Sequence, residues 1–157
     1  MAIKTELFDL TGKVALVTGG SSGIGKAIAL AMAQHGAKVM IGSRTAEKVE
    51  QAAEELNREA GATEDPIVAG MPIDVTSDQS IDAAVEGTID EFGGLHIVVN
   101  SAGVMVKKPT FDLESDEFEQ VYQTHVTGSL RCAQSAGHVF REQHEGCIIN
   151  LASISSF

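Results

Sequence analysis

The 157-residue sequence predicts an α/β protein built on a doubly wound parallel sheet. Three observations predict it. Five short apolar runs alternate with longer stretches of helical period. The glycine-rich segment Thr18-Gly-Gly-Ser-Ser-Gly-Ile-Gly25 joins the first run to the first helix, and polar motifs recur where the later runs end. Such alternation implies right-handed crossovers, for which the simplest strand order is 3-2-1-4-5, with a ligand crevice at the carboxyl ends of the strands.

The elements follow in order. Residues 1–12 form a polar lead-in, and 13–18 is the first strand, a run of consecutive apolar residues that suits a strand covered on both faces. The first helix is expected over 23–35, with Ile24, Ile28 and Ala31 on its inward side and Gly36 as its stop. Strand two follows at 37–42. A helix over 45–60 carries Val49, Ala53, Leu56 and Ala60 at helical period; Gly61 ends it, and Pro66 lies in the connection to strand three at 67–73. Thr76-Ser-Asp-Gln79 has the form of a capping box with Thr76 as cap, opening a helix to 92 that buries Ile81, Val85 and Phe92. Strand four spans 95–100. Helix four is expected from Ser115 to about residue 142, with Asp116 and Glu117 at the positive end of its dipole and Phe118, Tyr122, Val126, Ala133 and Phe140 along it. Strand five spans 146–151. No repeat, low-complexity tract or linker interrupts the chain, so 1–157 reads as one domain.

Hydrophobic residues make up 43% of the sequence and aromatics 4%, with 16 glycines, which suits a core packed with Ala, Val and Ile. The net charge of −11 and the lack of a basic stripe argue against a nucleic-acid partner. Cys132 and Cys147 form no framework and are expected as buried packing thiols in a reducing compartment. His35, His96, His138 and His144 show no metal-ligand spacing. The first 13 residues lack the apolar core of a signal peptide and no stretch approaches a membrane span, so no membrane partner is expected and the cytoplasm is the expected location.

The glycine-rich turn carries the first chemical signal. Gly19, Gly23 and Gly25 allow a sharp bend and close backbone approach, and the following helix aims its unpaired N–H groups and positive dipole end back at the turn. The alternatives are plain turn chemistry and an anion site; the strand before and the helix after favour the anion site. No Gly-Lys-Ser/Thr follows, so the segment is not a P-loop.

Thr18-Gly-Gly-Ser-Ser-Gly-Ile-Gly25 resembles the Thr-Gly-x-x-x-Gly-x-Gly signature of the short-chain dehydrogenases/reductases, and the likeness continues at matching places along the whole chain. It implies a Rossmann-type fold, a nicotinamide cofactor and hydride transfer to or from an alcohol or carbonyl substrate. On this resemblance Gly19, Ser21, Ser22, Gly23, Ile24 and Gly25 form the diphosphate turn.

Strand two ends Gly42-Ser43-Arg44, where an acidic residue would favour NAD(H) by accepting from the adenosine ribose. Ser43 and a guanidinium at Arg44 instead match the pattern that favours NADP(H) over NAD(H); the other reading of Arg44 is a solvated surface charge. Relatives that prefer NADP(H) often carry a second basic residue where Ser22 stands. Asp74-Val75 matches the family's adenine contact, although a turn carboxylate beside Thr76 would look the same. Asn100-Ser-Ala-Gly103 resembles the family's Asn-Asn-Ala-Gly. It implies that Asn100 ties the sheet while Ala102 and Gly103 border the cofactor; Ser101 departs from the pattern.

For catalysis, Asn150-Leu-Ala-Ser153 maps the family's substrate-positioning serine onto Ser153, whose hydroxyl would donate to a carbonyl oxygen as charge builds there. A serine-rich loop through Ser155 and Ser156 is the alternative. His125-Val-Thr-Gly128 stands where the family has Asn-x-x-Gly; His125 either replaces the asparagine of a proton relay or is held by local hydrogen bonds. No Tyr-x-x-x-Lys follows Ser153, and the sole tyrosine, Tyr122, lies elsewhere. That motif supplies the family's general acid/base, so the chain reads as a truncated member, able to bind cofactor with negligible turnover, marginal alone and prone to self-association. The family pairs subunits through helix four, whose Ser129, Ala133 and Gly137 share one face, which implies a homo-oligomer, dimer or tetramer.

Overall fold

The computed structural model describes residues 6–63 and 65–153. Ser155 and Ser156, and residues 1–5 of the lead-in, lie outside the described residues. Five strands, β1 (Val14–Thr18), β2 (Lys38–Ser43), β3 (Val68–Pro72), β4 (Ile97–Asn100) and β5 (Cys147–Asn150), form one sheet. Its order is β3-β2-β1-β4-β5 and every pairing is parallel, as the alternation predicts. Thr18 stands beside Gly42 on one side and Asn100 on the other, and Asn100 beside Asn150, so the motif-bearing ends are level.

The strand pleat divides the core in two. Ala15, Val17, Val39, Ile41 and Val99 point to one face, covered by α1 (Gly23–Gln34) and α2 (Ala46–Ala60). Leu16, Met40 and Val98 point to the other, covered by α3 (Asp78–Phe92) and α5 (Gly128–Gln143). The uninterrupted apolar runs of β1 and β4 are therefore the signature of burial on both faces. β3 and β5 are the two edge strands, and all four residues of β5 are exposed.

Four sequence expectations change. The inward side of α1 is Gly25, Ala29 and Ala33, whereas Ile24 and Ala31 are exposed. The reason is clearance: a Cβ on Gly25 would lie 2.4 Å from the Gly19 carbonyl oxygen, so the helix approaches the turn too closely for an isoleucine face. The cap of α3 is Ser77, which accepts from the Ser80 N–H, because Thr76 is already bound to Asp74. Cys147 is exposed on the sheet edge; only Cys132 is a buried thiol.

The long helix four is broken in character. It comprises α4 (Ser115–Tyr122), a π-helical turn over Gln123–Thr127, and α5. The Gly128 N–H reaches back five residues to the Gln123 carbonyl, widening the helix at His125. α4 begins one residue after Glu114, whose N–H donates to Glu117 Oε2 at 3.1 Å. Phe118, Tyr122 and Val126 are exposed rather than packed inward, while Cys132 and Ala136 carry the burial of α5.

Candidate nucleotide-binding site

A cleft of about 470 Å³ opens at the carboxyl ends of β1–β4, the size class of small-molecule and cofactor sites. The turn after β1 contributes Gly19, Ser21 and Ser22, and the end of β2 contributes Ser43 and Arg44. Asp74 and Val75 beyond β3, and Ala102 and Gly103 beyond β4, complete its predicted lining. Residues as far apart in sequence as Gly19 and Gly103 thus share one wall because the strands end level.

The turn is built by close approach. Gly19 has φ of +68°, and a Cβ there would stand 2.8 Å from Ala102 N and Cα and from Ser101 O. Thr18, 1% exposed, stitches the same two segments. Its Oγ1 accepts the N–H groups of Ser101 and Ala102, each at 3.2 Å, and donates to Val99 O at 3.3 Å. Gly23 (φ +55°) begins α1, and Gly25 fits against Gly19. Neither glycine lines the cleft, and Ile24 points to solvent.

Asp74 is held by its neighbour. Its Oδ1 accepts from Thr76 Oγ1 at 2.7 Å and Thr76 N at 2.9 Å, and these donors hold the carboxyl below the usual range, Thr76's hydroxyl first. The charge of Arg44 adds to the lowering, and partial burial opposes it. Ser43 Oγ donates to Thr45 O at 3.3 Å. Asn100 Nδ2 donates to Asn150 Oδ1 at 2.8 Å, tying β4 to β5, while its own Oδ1 is buried with no hydrogen-bond partner.

His125 lies behind the cleft wall. Its ring packs on Gly103, where a Cβ would stand 2.7 Å from Cε1, and its Nε2 is 2.8 Å from Val104 O and 3.2 Å from Val104 N. One nitrogen serves only one of these at a time: protonated it donates to the oxygen, bare it accepts from the N–H. The described geometry is that of a side chain fixing the loop after β4. Ser153 is exposed, three residues past β5, and does not line the cleft. Tyr122 is on α4, and Val126 stands four residues after it.

Sequence reasoning missed the α2 wall. Lys48, Gln51 and Glu55 line the cleft from one stripe of that helix, and their spacing of three and four residues was the available signal. Glu55 is ion-paired with Lys26 of α1, which holds its carboxyl below the usual range. Thr124, in the π-helical turn, reaches the cleft from the far side.

The short chain dehydrogenase family profile matches residues 13–157. The chain belongs to that family. An uncharacterized oxidoreductase of Staphylococcus aureus (strain USA300) is 40% identical over 148 residues, which cover 94% of this chain and 61% of the relative. A 3-oxoacyl-[acyl-carrier-protein] reductase of Vibrio cholerae is 38% identical over 146 residues, covering 93% of this chain and 57% of that protein. The crystal structure of a short-chain type dehydrogenase/reductase from Mycobacterium marinum superposes with a TM-score of 0.88 at 35% identity, covering 96% of this chain and 60% of the other. This chain therefore spans about three-fifths of the length of the relatives it matches. Among the described residues no helix is long and apolar enough to cross a membrane, and no cluster of His, Cys, Asp or Glu could hold a metal ion.

Proposed function

We propose that the chain is the dinucleotide-binding part of an NADP(H)-dependent oxidoreductase that interconverts an alcohol and a carbonyl. The observation that carries this reading is the meeting of the glycine turn, Arg44, Asp74 and the Ala102–Gly103 segment in one cleft with no carboxylate at the end of β2. The residues fit a dinucleotide. The N–H groups at the start of α1 and the positive end of its dipole hold the diphosphate, where Gly19 leaves room for close approach. Arg44 forks onto the 2′-phosphate with Ser43 beside it. Asp74 Oδ2 and the Val75 main chain take the adenine edge, and Ala102 and Gly103 border the ribose. Asn100 keeps β4 and β5 in register, and His125 fixes the loop through Val104.

The bound nicotinamide supplies or accepts the hydride. Ser153 contributes a hydroxyl that donates to the substrate oxygen as negative charge grows on it. A carbonyl substrate agrees with the named activity of the Vibrio cholerae relative. A second reading, cofactor binding without turnover, is favoured by Tyr122, the sole tyrosine: it lies on α4 with valine, not lysine, four residues on. Phe118, Val126 and Leu130, exposed along α4 to α5, support pairing of copies through this helical run, and a monomer by light scattering at high concentration would refute that. A cytoplasmic location completes the proposal.

Fluorescence titration with NADPH and NADH tests the cofactor reading. NADPH is expected to bind more tightly, and Arg44→Ala to weaken NADPH by about tenfold with little effect on NADH. Equal affinities in the unaltered chain would remove Arg44 from the reading. Assay of carbonyl reduction by the same chain separates the two readings of turnover.

A further inference from the structure

We propose that Lys48 is the second cation of the adenosine 2′-phosphate site, doing from α2 what a basic residue in the turn would do from position 22. This rests on the NADP(H) reading and extends it to a residue that the glycine and strand-end motifs do not contain.

Ser22 lines the cleft without a charge, so Arg44 alone would face a phosphate dianion from the motif positions. Lys48 lines the same cleft, on the first turn of α2 and four residues after Arg44. The residues three and four positions from it are Arg44 and Thr45 before the helix and Gln51 and Ala52 on it, none of them acidic, although α2 carries Glu47, Glu50, Glu54, Glu55 and Glu59. No glutamate of α2 stands three or four residues from Lys48, and Glu55, seven residues on along the same stripe, is paired with Lys26.

The two carboxylates that line the cleft, Glu55 and Asp74, each already have a partner. Glu55, the α2 carboxylate that lines the cleft, is paired with Lys26 from α1, and Asp74 Oδ1 is bound by Thr76. Lys13, Lys26, Lys108 and Arg131 each have a carboxylate at salt-bridge distance; among the described residues Arg44, Lys48, Lys38, Arg58, Lys107 and Arg141 have none, and of these only Arg44 and Lys48 line the cleft. In a chain of net charge −11, two cations without a salt bridge lining one cleft form a local positive spot in an acidic surround. A phosphate monoester with two negative charges matches it; the paired hydroxyls of an unphosphorylated ribose do not.

The test is the affinity of the full chain for NADPH, NADH, 2′,5′-ADP and 5′-ADP, with Lys48→Ala and Lys48→Arg beside the unaltered protein. Lys48→Ala is expected to weaken NADPH and 2′,5′-ADP about tenfold, to change NADH and 5′-ADP less than about twofold, and Lys48→Arg to restore most of the loss. Unchanged NADH affinity doubles as the proof that the variant is folded. If the unaltered chain prefers NADPH and Lys48→Ala keeps that preference, the assignment of Lys48 is overturned while the NADP(H) reading stands. If the unaltered chain binds NADPH and NADH alike, the NADP(H) reading fails and this proposal with it. An equal loss for all four ligands would also overturn it, because a 2′-phosphate contact cannot weaken ligands that lack the phosphate.

Discussion

Replacing Gly19 by alanine tests the contact on which the cleft is built. The residue sits at φ +68°, where a side chain costs about 1–2 kcal/mol. Its new Cβ would stand 2.8 Å from Ala102 Cα and N and from Ser101 O, all main-chain atoms that cannot rotate away. Displacing them adds about 1–3 kcal/mol, as for other overpacked interiors. Gly23→Ala is the internal control: its φ is +55° but nothing lies within 4 Å of the added atom, so it bears the backbone term alone. At about 2–4 °C per kcal/mol for a chain of this size, Gly19→Ala should lower Tm by about 5–15 °C and Gly23→Ala by about half as much. Thermal unfolding followed by circular dichroism reads both, and NADPH titration should show the larger loss for Gly19→Ala. Equal Tm losses for the two variants would refute the close approach of the turn to the strand-four loop.

Two further outcomes follow from the site and its surroundings. Cys147 is exposed while burial pushes the Cys132 thiol up to about 11, so a thiol reagent at pH 8 should label one cysteine in the folded chain and the second only in denaturant; equal rates would place Cys132 outside the core. The Thr76 donors lower the Asp74 pKa, so their contribution is full above the ordinary carboxylate value of about 3.9 and is lost as pH falls through the lower folded value. Asp74→Asn should therefore cost stability at neutral pH in urea titrations and cost nothing at the acid end; a gap that persists unchanged at low pH would refute the assignment.

The strand–turn–helix at 13–25 and the alternation after it were local facts, and local facts are legible. A glycine pattern, an apolar run and a cap each announce themselves within a few residues. The strand order and the parallel pairings follow from them, and the family resemblance named nine of the cleft-lining residues. What failed was orientation. α1 is rich in Ala, Gly and Ile on several sides, so period alone could not say that the smallest side would press on the turn. The π-helical turn at Gln123–Thr127 left no mark in the residue pattern, because one widened turn changes a hydrogen-bond partner and not a composition.

The chain by itself determined that five strands would end in polar motifs and that one of those ends would be a glycine turn opening a helix. Only the tertiary structure decided which side chains share a wall: Thr18 gripping the loop after β4, His125 reaching Val104, and Lys48 lining the same cleft as Arg44. Those pairings depend on how closely and at what rotation each helix lies on the sheet. Backbone clearance at Gly19, Gly25, Gly103 and Gly128 sets that geometry, and it involves partners far apart in sequence.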